Sequence, residues 1–183
     1  MAPPPVNGVI RPAQLAHLVF YTRQLDTMID WYARVVGTEV AFRNERIAFL
    51  SFDAEHHRIA LVAAEPYPPK PPGKAVGFYH AAFTHRHLAD LIATYERLAA
   101  EGVHAVRTIH HGPTVSFYYE DPDRNLIELQ VDAFADAEEA RDWMLGPAFE
   151  RNPVGVELDM REYLAAFHAG APLSELLRRP DDR

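Results

Sequence analysis

Cysteine is absent from the 183-residue chain, which removes disulfides, thiolate nucleophiles and Cys-ligated zinc from consideration. Long apolar runs are missing too. No segment approaches the roughly 20 apolar residues that cross a bilayer, and the opening MAPPPVNGVIRP has no charged stretch leading into an apolar one. Positive charge is scarce: 18 Lys and Arg stand against 26 Asp and Glu, a formal net charge of −8, so no basic field gathers a phosphate backbone. Nucleic acid and membrane are set aside as partners, and a soluble, cytoplasmic chain is expected. No Gly-rich phosphate loop or Ser-His-Asp spacing rises above noise.

What is present suits a globular fold. Hydrophobic residues make up 48% and charged residues 24%, which excludes a wholly disordered chain. At this length one domain can bury about two-thirds of its unfolded surface.

The spacing of apolar residues repeats. Leu25, Met28, Ile29, Tyr32, Val35 and Val36 follow the i, i+3, i+4, i+7 pattern of an amphipathic helix, and Gly37 is placed to end it. Leu88, Leu91, Ile92, Tyr95 and Leu98 form a second stripe, each 63 positions after its counterpart, with Gly102 beyond the last turn. The same offset carries His17 onto His80. A strand pattern precedes each helix, LAHLVFYT at 15–22 and GFYHAAFT at 77–84. Three more follow each helix, at 38–43, 46–52 and 58–63 in the first half and at 103–108, 114–119 and 125–131 in the second.

The expected fold class is therefore α+β, with a β-α-β-β-β unit present twice. The repeats span 15–64 and 77–134 within one domain, 15–134, and the Pro-rich EPYPPKPPG at 65–73 connects them. Residues 1–14 read as an N-terminal tail. Residues 135–183 read as a helical extension, with helices over 137–145 and 160–169 around a loop, FERNPVGVE, all packing on the barrel or on another subunit.

Glu128 poses an energetic problem, because it lies between Ile127 and Leu129 in an apolar strand pattern. A buried, unpartnered carboxylate costs several kcal/mol or more, so it needs a cation, a proton or an exit to solvent. Two histidines and one carboxylate, as in His17, His80 and Glu128, form a facial donor set for a divalent metal and leave positions open. Against this, a lone strand histidine is more often a core or edge residue, an isolated strand Glu usually faces water, and the three are far apart in sequence. The internal symmetry of the two histidines favours the metal set. The first-half counterpart of Glu128 is Ala60 or Leu61, and neither can bind a metal.

Other candidates are weaker on composition alone. His56 with His57, and His110 with His111, read at face value as solvated turn residues. Tyr118 and Tyr119 must point to opposite faces of their strand, and Tyr118 shares the face of Glu128 if the EDPDRN turn preserves parity. His168 carries no functional context, and Glu138, Glu139, Asp181 and Asp182 read as solvated charges.

Together, the duplicated unit and the set His17, His80, Glu128 resemble the vicinal oxygen chelate superfamily, which comprises the glyoxalase, bleomycin-resistance and dioxygenase folds. FDAEHHRIAL and HHGPTVSFYYEDPDRNLIEL resemble the type I extradiol ring-cleavage dioxygenases, and the likeness covers residues 15–133. NPVGVELD looks like an extension found on small one-module members. The resemblance implies a barrel of two units and Fe(II), or Mn(II) as the alternative, bound by His17, His80 and Glu128. It implies an active-site acid/base at His57, a substrate-side histidine at His111 with His110 as alternative, and a substrate-side tyrosine at Tyr118. It further implies an aromatic diol and dioxygen as substrates, and a homo-oligomer is expected. A glyoxalase- or isomerase-type metalloenzyme and a metal-free binder of aromatic ligands are the rival readings. Where relatives have Gly in the turn DPDGN, this chain has Arg124.

Overall fold

A computed structural model describes residues 8–71, 73 and 76–182. Residues 1–7 of the expected tail, position 72 of the connector, positions 74 and 75, and Arg183 lie outside the described residues. Two compact units divide between Pro69 and Lys70.

The first unit runs β1 (Leu18–Thr22), α1 (Leu25–Val35), β2 (Glu39–Arg43), β3 (Ile47–Ser51) and β4 (Ile59–Ala63). Its sheet has the order β1-β4-β3-β2, with β1 parallel to β4 and the other pairs antiparallel. The expected stripe of α1 is buried at Met28, Ile29, Tyr32 and Val35, each such side chain contributing about 1.5–3 kcal/mol. Gly37 then ends the helix at φ +78°, a conformation that costs glycine nothing.

The second unit repeats the plan with β5 (His80–Thr84), α2 (Leu88–Ala100), β6 (Arg107–His110), β7 (Thr114–Glu120) and β8 (Leu126–Asp132). Its order is β5-β8-β7-β6, with β5 parallel to β8 and a short ninth strand, β9 (Val156–Glu157), added beyond β6. Strand β6 begins later than the apolar pattern at 103–108 suggests. The N–H of Val103 donates to the Leu98 carbonyl (2.8 Å) and that of Gly102 to Ala99 (3.1 Å), so this stretch completes the exit of α2 rather than entering the sheet.

The extension consists of α3 (Ala137–Met144), α4 (Pro147–Arg151), β9 (Val156–Glu157), α5 (Met160–His168) and α6 (Leu173–Leu176), with a 3-10 turn over Pro180–Asp182. Asp136 caps α3 and Asp159 caps α5, each side chain accepting two backbone N–H groups. FERNPVGVE is not the loop expected from sequence. Part of it completes α4, started by Pro147 in the first turn, and Val156 and Glu157 add an edge strand against His110 and Ile109. A two-residue strand has no alternation to read. His168 Nε2 meets Glu96 Oε1 at 2.7 Å, tying α5 to α2, so the extension packs on its own unit. Among the described residues no helix is long and apolar enough to cross a membrane.

Candidate metal and diol site

Strand parity resolves the problem of Glu128. Ile127, Leu129 and Val131 occupy one face of β8 and are buried, while Glu128 takes the other face. It remains only 4% exposed there, so its charge needs a partner. Tyr118 is its direct cross-strand neighbour on β7, and Ala82 its neighbour on β5. His80, two residues before Ala82, therefore shares the face, and its Nε2 lies 2.9 Å from Glu128 Oε2. The His80 ring stands edge-on to Tyr118 at 5.6 Å and 81°.

Beyond Tyr118 lies His111, with Nε2 2.8 Å from the phenolic oxygen. His111 Nδ1 is 2.5 Å from the Val154 carbonyl. A carbonyl can only accept, so Nδ1 carries the proton; in the neutral imidazole Nε2 then presents its lone pair, and Nε2 and the Glu128 carboxylate are the two acceptors within reach of the single Tyr118 O–H. Burial raises the Tyr118 pKa, and the negative charge of Glu128 and a hydrogen bond to it raise it further. The phenol therefore stays protonated and remains a donor at any physiological pH.

His110 does not share this environment. It is fully buried, and its Nδ1 accepts the Gly112 N–H at 3.2 Å, which corrects the reading of both paired histidines as solvated turn residues. Its Nε2 has no hydrogen bond of ordinary geometry among the described residues. Burial drives its pKa down to about 4; the Leu177 carbonyl and Asp181 oppose the shift, and Arg179 and His111 reinforce it. In the unfolded chain the imidazole titrates near 6.5, so below that pH the unfolded state takes up a proton that the folded state refuses. The stabilisation is complete above pH 6.5 and is lost as pH falls towards 4, by about 3 kcal/mol. Urea unfolding between pH 7 and 4 should show this loss in the wild type and a smaller one in His110→Asn; equal slopes would assign the acid sensitivity to other groups.

In the first unit, His17 immediately precedes β1, and its ring lies 4.4 Å from that of His57. His57 is also stacked by Phe49, at 4.5 Å and 22°, and its Nδ1 is 2.6 Å from His56 Nδ1. This environment lowers the His57 pKa, chiefly by burial, then by the positive charges His17 and His56 can carry, with Glu55 opposing. Arg58 anchors the segment before His17. Its guanidinium donates to the Leu15 and Ala16 carbonyls, both at 3.1 Å, and pairs with Asp53, whose pKa is lowered by a hydrogen bond from the Glu55 backbone and by Arg58.

The pair registers fix the repeat correspondence. Glu128 is opposite Tyr118 and Ala82 in the second sheet; Ala60 is opposite Phe49 and Val19 in the first. Ala60 rather than Leu61 is therefore the counterpart of Glu128, and Phe49 the counterpart of Tyr118. One unit has kept apolar residues where the other carries an acid and a phenol.

The β7–β8 turn accommodates the departure at Arg124. Its φ is +63°, the left-handed region glycine would favour, and its N–H donates to the Asp121 carbonyl at 2.8 Å. Asp121 Oδ1 accepts the N–H groups of Asp123 (2.9 Å) and Asn125 (2.7 Å). The side chains of Lys70 and Arg124 each donate to the other's backbone carbonyl, a reciprocal clamp that offsets the strain.

His80 and Glu128 suit a cation chemically. The carboxylate and the imidazole come within 2.9 Å of each other, and His80 Nδ1 has no hydrogen-bond partner among the described residues. An anionic oxygen and a neutral imidazole nitrogen form a borderline donor set suited to divalent iron or manganese. Within each unit, among the described residues, no group of three His, Asp or Glu side chains comes together as a metal-binding cluster. His17 belongs to the first unit and His80 and Glu128 to the second.

Sequence reasoning missed the supports of His111. Arg179 is 2% exposed, and Asp181, expected to be a solvated tail charge, is its partner at 2.6 Å. Trp143 lies over Gly112 and stacks on the Arg179 guanidinium at 4.8 Å. Nothing in the local pattern marks Arg179, because an arginine near a C-terminus is usually solvated. Gly112 gave a weaker cue through its place directly after the paired histidines.

Fold and site define a vicinal oxygen chelate protein: the chain belongs to the Glyoxalase/Bleomycin resistance protein/Dioxygenase superfamily, whose profile matches residues 14–129. It is 40% identical over 164 residues to Biphenyl-2,3-diol 1,2-dioxygenase 2 of Rhodococcus globerulus, covering 89% of this chain and 86% of that protein. It is also 40% identical over 174 residues to Biphenyl-2,3-diol 1,2-dioxygenase 3 of the same organism, covering 91% and 88%. A solved glyoxylase/bleomycin resistance protein/dioxygenase domain from Frankia sp. EAN1pec has the same fold, with a TM-score of 0.55 and 19% identity over 67% of this chain and 99% of that one.

Proposed function

We propose that the protein is an extradiol ring-cleavage dioxygenase that inserts both atoms of dioxygen into a catechol-type aromatic diol, using Fe(II), or Mn(II) as the alternative, held by His17, His80 and Glu128. The observation that carries this reading is the constellation of the second unit around the buried Glu128 and Tyr118, in which His80 lies 2.9 Å from Glu128 and His111 2.8 Å from Tyr118. The 40% identity to two proteins named for biphenyl-2,3-diol cleavage, over about nine-tenths of the chain, points the same way.

Bound iron supplies Lewis acidity and an electron relay between diol and dioxygen. The protein supplies the rest. His57, its pKa lowered by burial and by the neighbouring His17 and His56, accepts a proton released by a diol hydroxyl and returns one to oxygen as the ring opens. Tyr118, kept protonated, turns its one O–H from its protein acceptor to a diol oxygen where charge develops, and His111 holds the phenol in place beside it. One diol and one dioxygen give one ring-opened product, a semialdehyde or keto acid, with no further reductant. A homo-oligomer in the cytoplasm is part of the same reading.

The test is to load the protein anaerobically with Fe(II), add 2,3-dihydroxybiphenyl or catechol, admit oxygen and follow the yellow ring-fission product. Stoichiometric iron without turnover of either diol would remove the assignment.

A further inference from the structure

The segment that fixes His111 lies 43 residues further along the chain. Val154 contributes its carbonyl, and the neighbouring backbone is held in place by side chains. Asn152 closes a ring with Gly155, its Nδ2 donating to the Gly155 carbonyl at 2.9 Å and its Oδ1 accepting the Gly155 N–H at 3.0 Å. Gly155 has φ +100°, and a Cβ there would lie 2.4 Å from the His110 carbonyl oxygen, so only glycine lets the segment approach this closely. Arg179 joins both sides. Its Nη1 donates to the carbonyls of Asn152 (2.8 Å) and His111 (3.3 Å), and its Nη2 to that of Ala148 (2.9 Å). A planar guanidinium can serve three carbonyls and the Asp181 carboxylate at once; an ammonium cannot.

We propose that Asn152 and Arg179 are positioning residues of the active site: by holding the Val154 carbonyl against His111 Nδ1, they lock the imidazole tautomer whose Nε2 can accept from Tyr118. The C-terminal extension is thereby part of the catalytic apparatus rather than an appendage. Without the Val154 carbonyl, His111 reverts towards the Nε2–H tautomer that prevails for histidine in water. Nε2–H then donates to the phenolic oxygen, the hydrogen bond between the two side chains reverses, and the Tyr118 O–H turns away from His111. The catalytic consequence rests on the reading of Tyr118 and His111 as substrate-side groups; the tautomer itself does not.

Nitrogen-15 imidazole spectra of the metal-free protein, assigned by comparison with His111→Gln, test the proposal directly. The wild type should show His111 with Nδ1 protonated and Nε2 bare. Asn152→Ala and Arg179→Lys, with native circular dichroism, should shift His111 towards the Nε2–H pattern. Asn152→Ala should also lower kcat for 2,3-dihydroxybiphenyl about tenfold, with a smaller change in KM, because orientation rather than binding is lost. Since Arg179 is buried, Asn152→Ala alone decides the matter if Arg179→Lys does not fold. A wild-type His111 protonated at Nε2, or an unchanged pattern in a folded Asn152→Ala, overturns the proposal. A wild type that binds iron without cleaving any diol fails the dioxygenase assignment, whereas the nitrogen spectra still decide the role of Asn152.

Discussion

Glu128→Ala should release iron from the protein and lower diol cleavage by at least about a thousandfold, equivalent to roughly 4 kcal/mol of transition-state stabilisation. The variant should nonetheless fold. At the corresponding place in the first sheet the strand pair closes around Ala60, which is 3% exposed, so the backbone accepts alanine opposite an aromatic residue. Without metal, removing a carboxylate that is 4% exposed relieves its desolvation but also removes its contacts with His80 and Tyr118, so the thermal midpoint should move little. Metal analysis after dialysis, circular dichroism and the yellow-product assay together check this. A Glu128→Ala protein that retains one iron per chain would show that the carboxylate is not a ligand, whatever its activity.

His57→Gln should reduce turnover by about a hundred- to ten-thousandfold, the usual contribution of a positioned proton donor and acceptor, while changing diol affinity less than about threefold. The ring of His57 contacts those of His17 and Phe49, and His57→Phe preserves an aromatic ring there while abolishing proton transfer. The two variants therefore separate packing from chemistry. If both lose turnover and retain diol binding, His57 moves protons. Equal losses of turnover and binding in either would make it a structural residue. Anaerobic titration with 2,3-dihydroxybiphenyl gives the affinity, and stopped-flow after oxygen addition gives the turnover.

Much of the architecture is legible in the chain because it is written twice. The stripes of α1 and α2, and the glycines at 37 and 102 that end them, repeat at one spacing, and a repeat is a signal no single helix carries. Glu128 announces itself because a charge among Ile127 and Leu129 violates the apolar pattern. The facing of Tyr118 and Glu128 follows from strand alternation once the turn at 121–125 is known to keep register. What escapes is of three kinds. The start of β6 is hidden because helix-capping hydrogen bonds at Val103 compete with the strand, and an apolar run does not say which wins. Strand β9 is too short for periodicity to exist. The difference between His110 and His111 is tertiary: one ring is enclosed near Leu177 and Arg179, the other reaches Val154 and Tyr118, and both sets of partners come from distant parts of the chain.

The stacking of Trp143 on Gly112 and Arg179 also provides a spectroscopic handle. The chain has two tryptophans, and the fold assigns one to each unit: Trp31, 5% exposed in α1, and Trp143 in α3. Indole emission is quenched or shifted by an adjacent charge, and the guanidinium 4.8 Å from the Trp143 ring is such a charge. A Trp31→Phe protein therefore carries a single tryptophan, excited selectively on the red edge of indole absorption, that reports whether the extension is seated, and a Trp143→Phe protein one that reports on the first unit. The unfolding of the two halves of a duplicated fold can in this way be followed separately, one in each variant, without an added label.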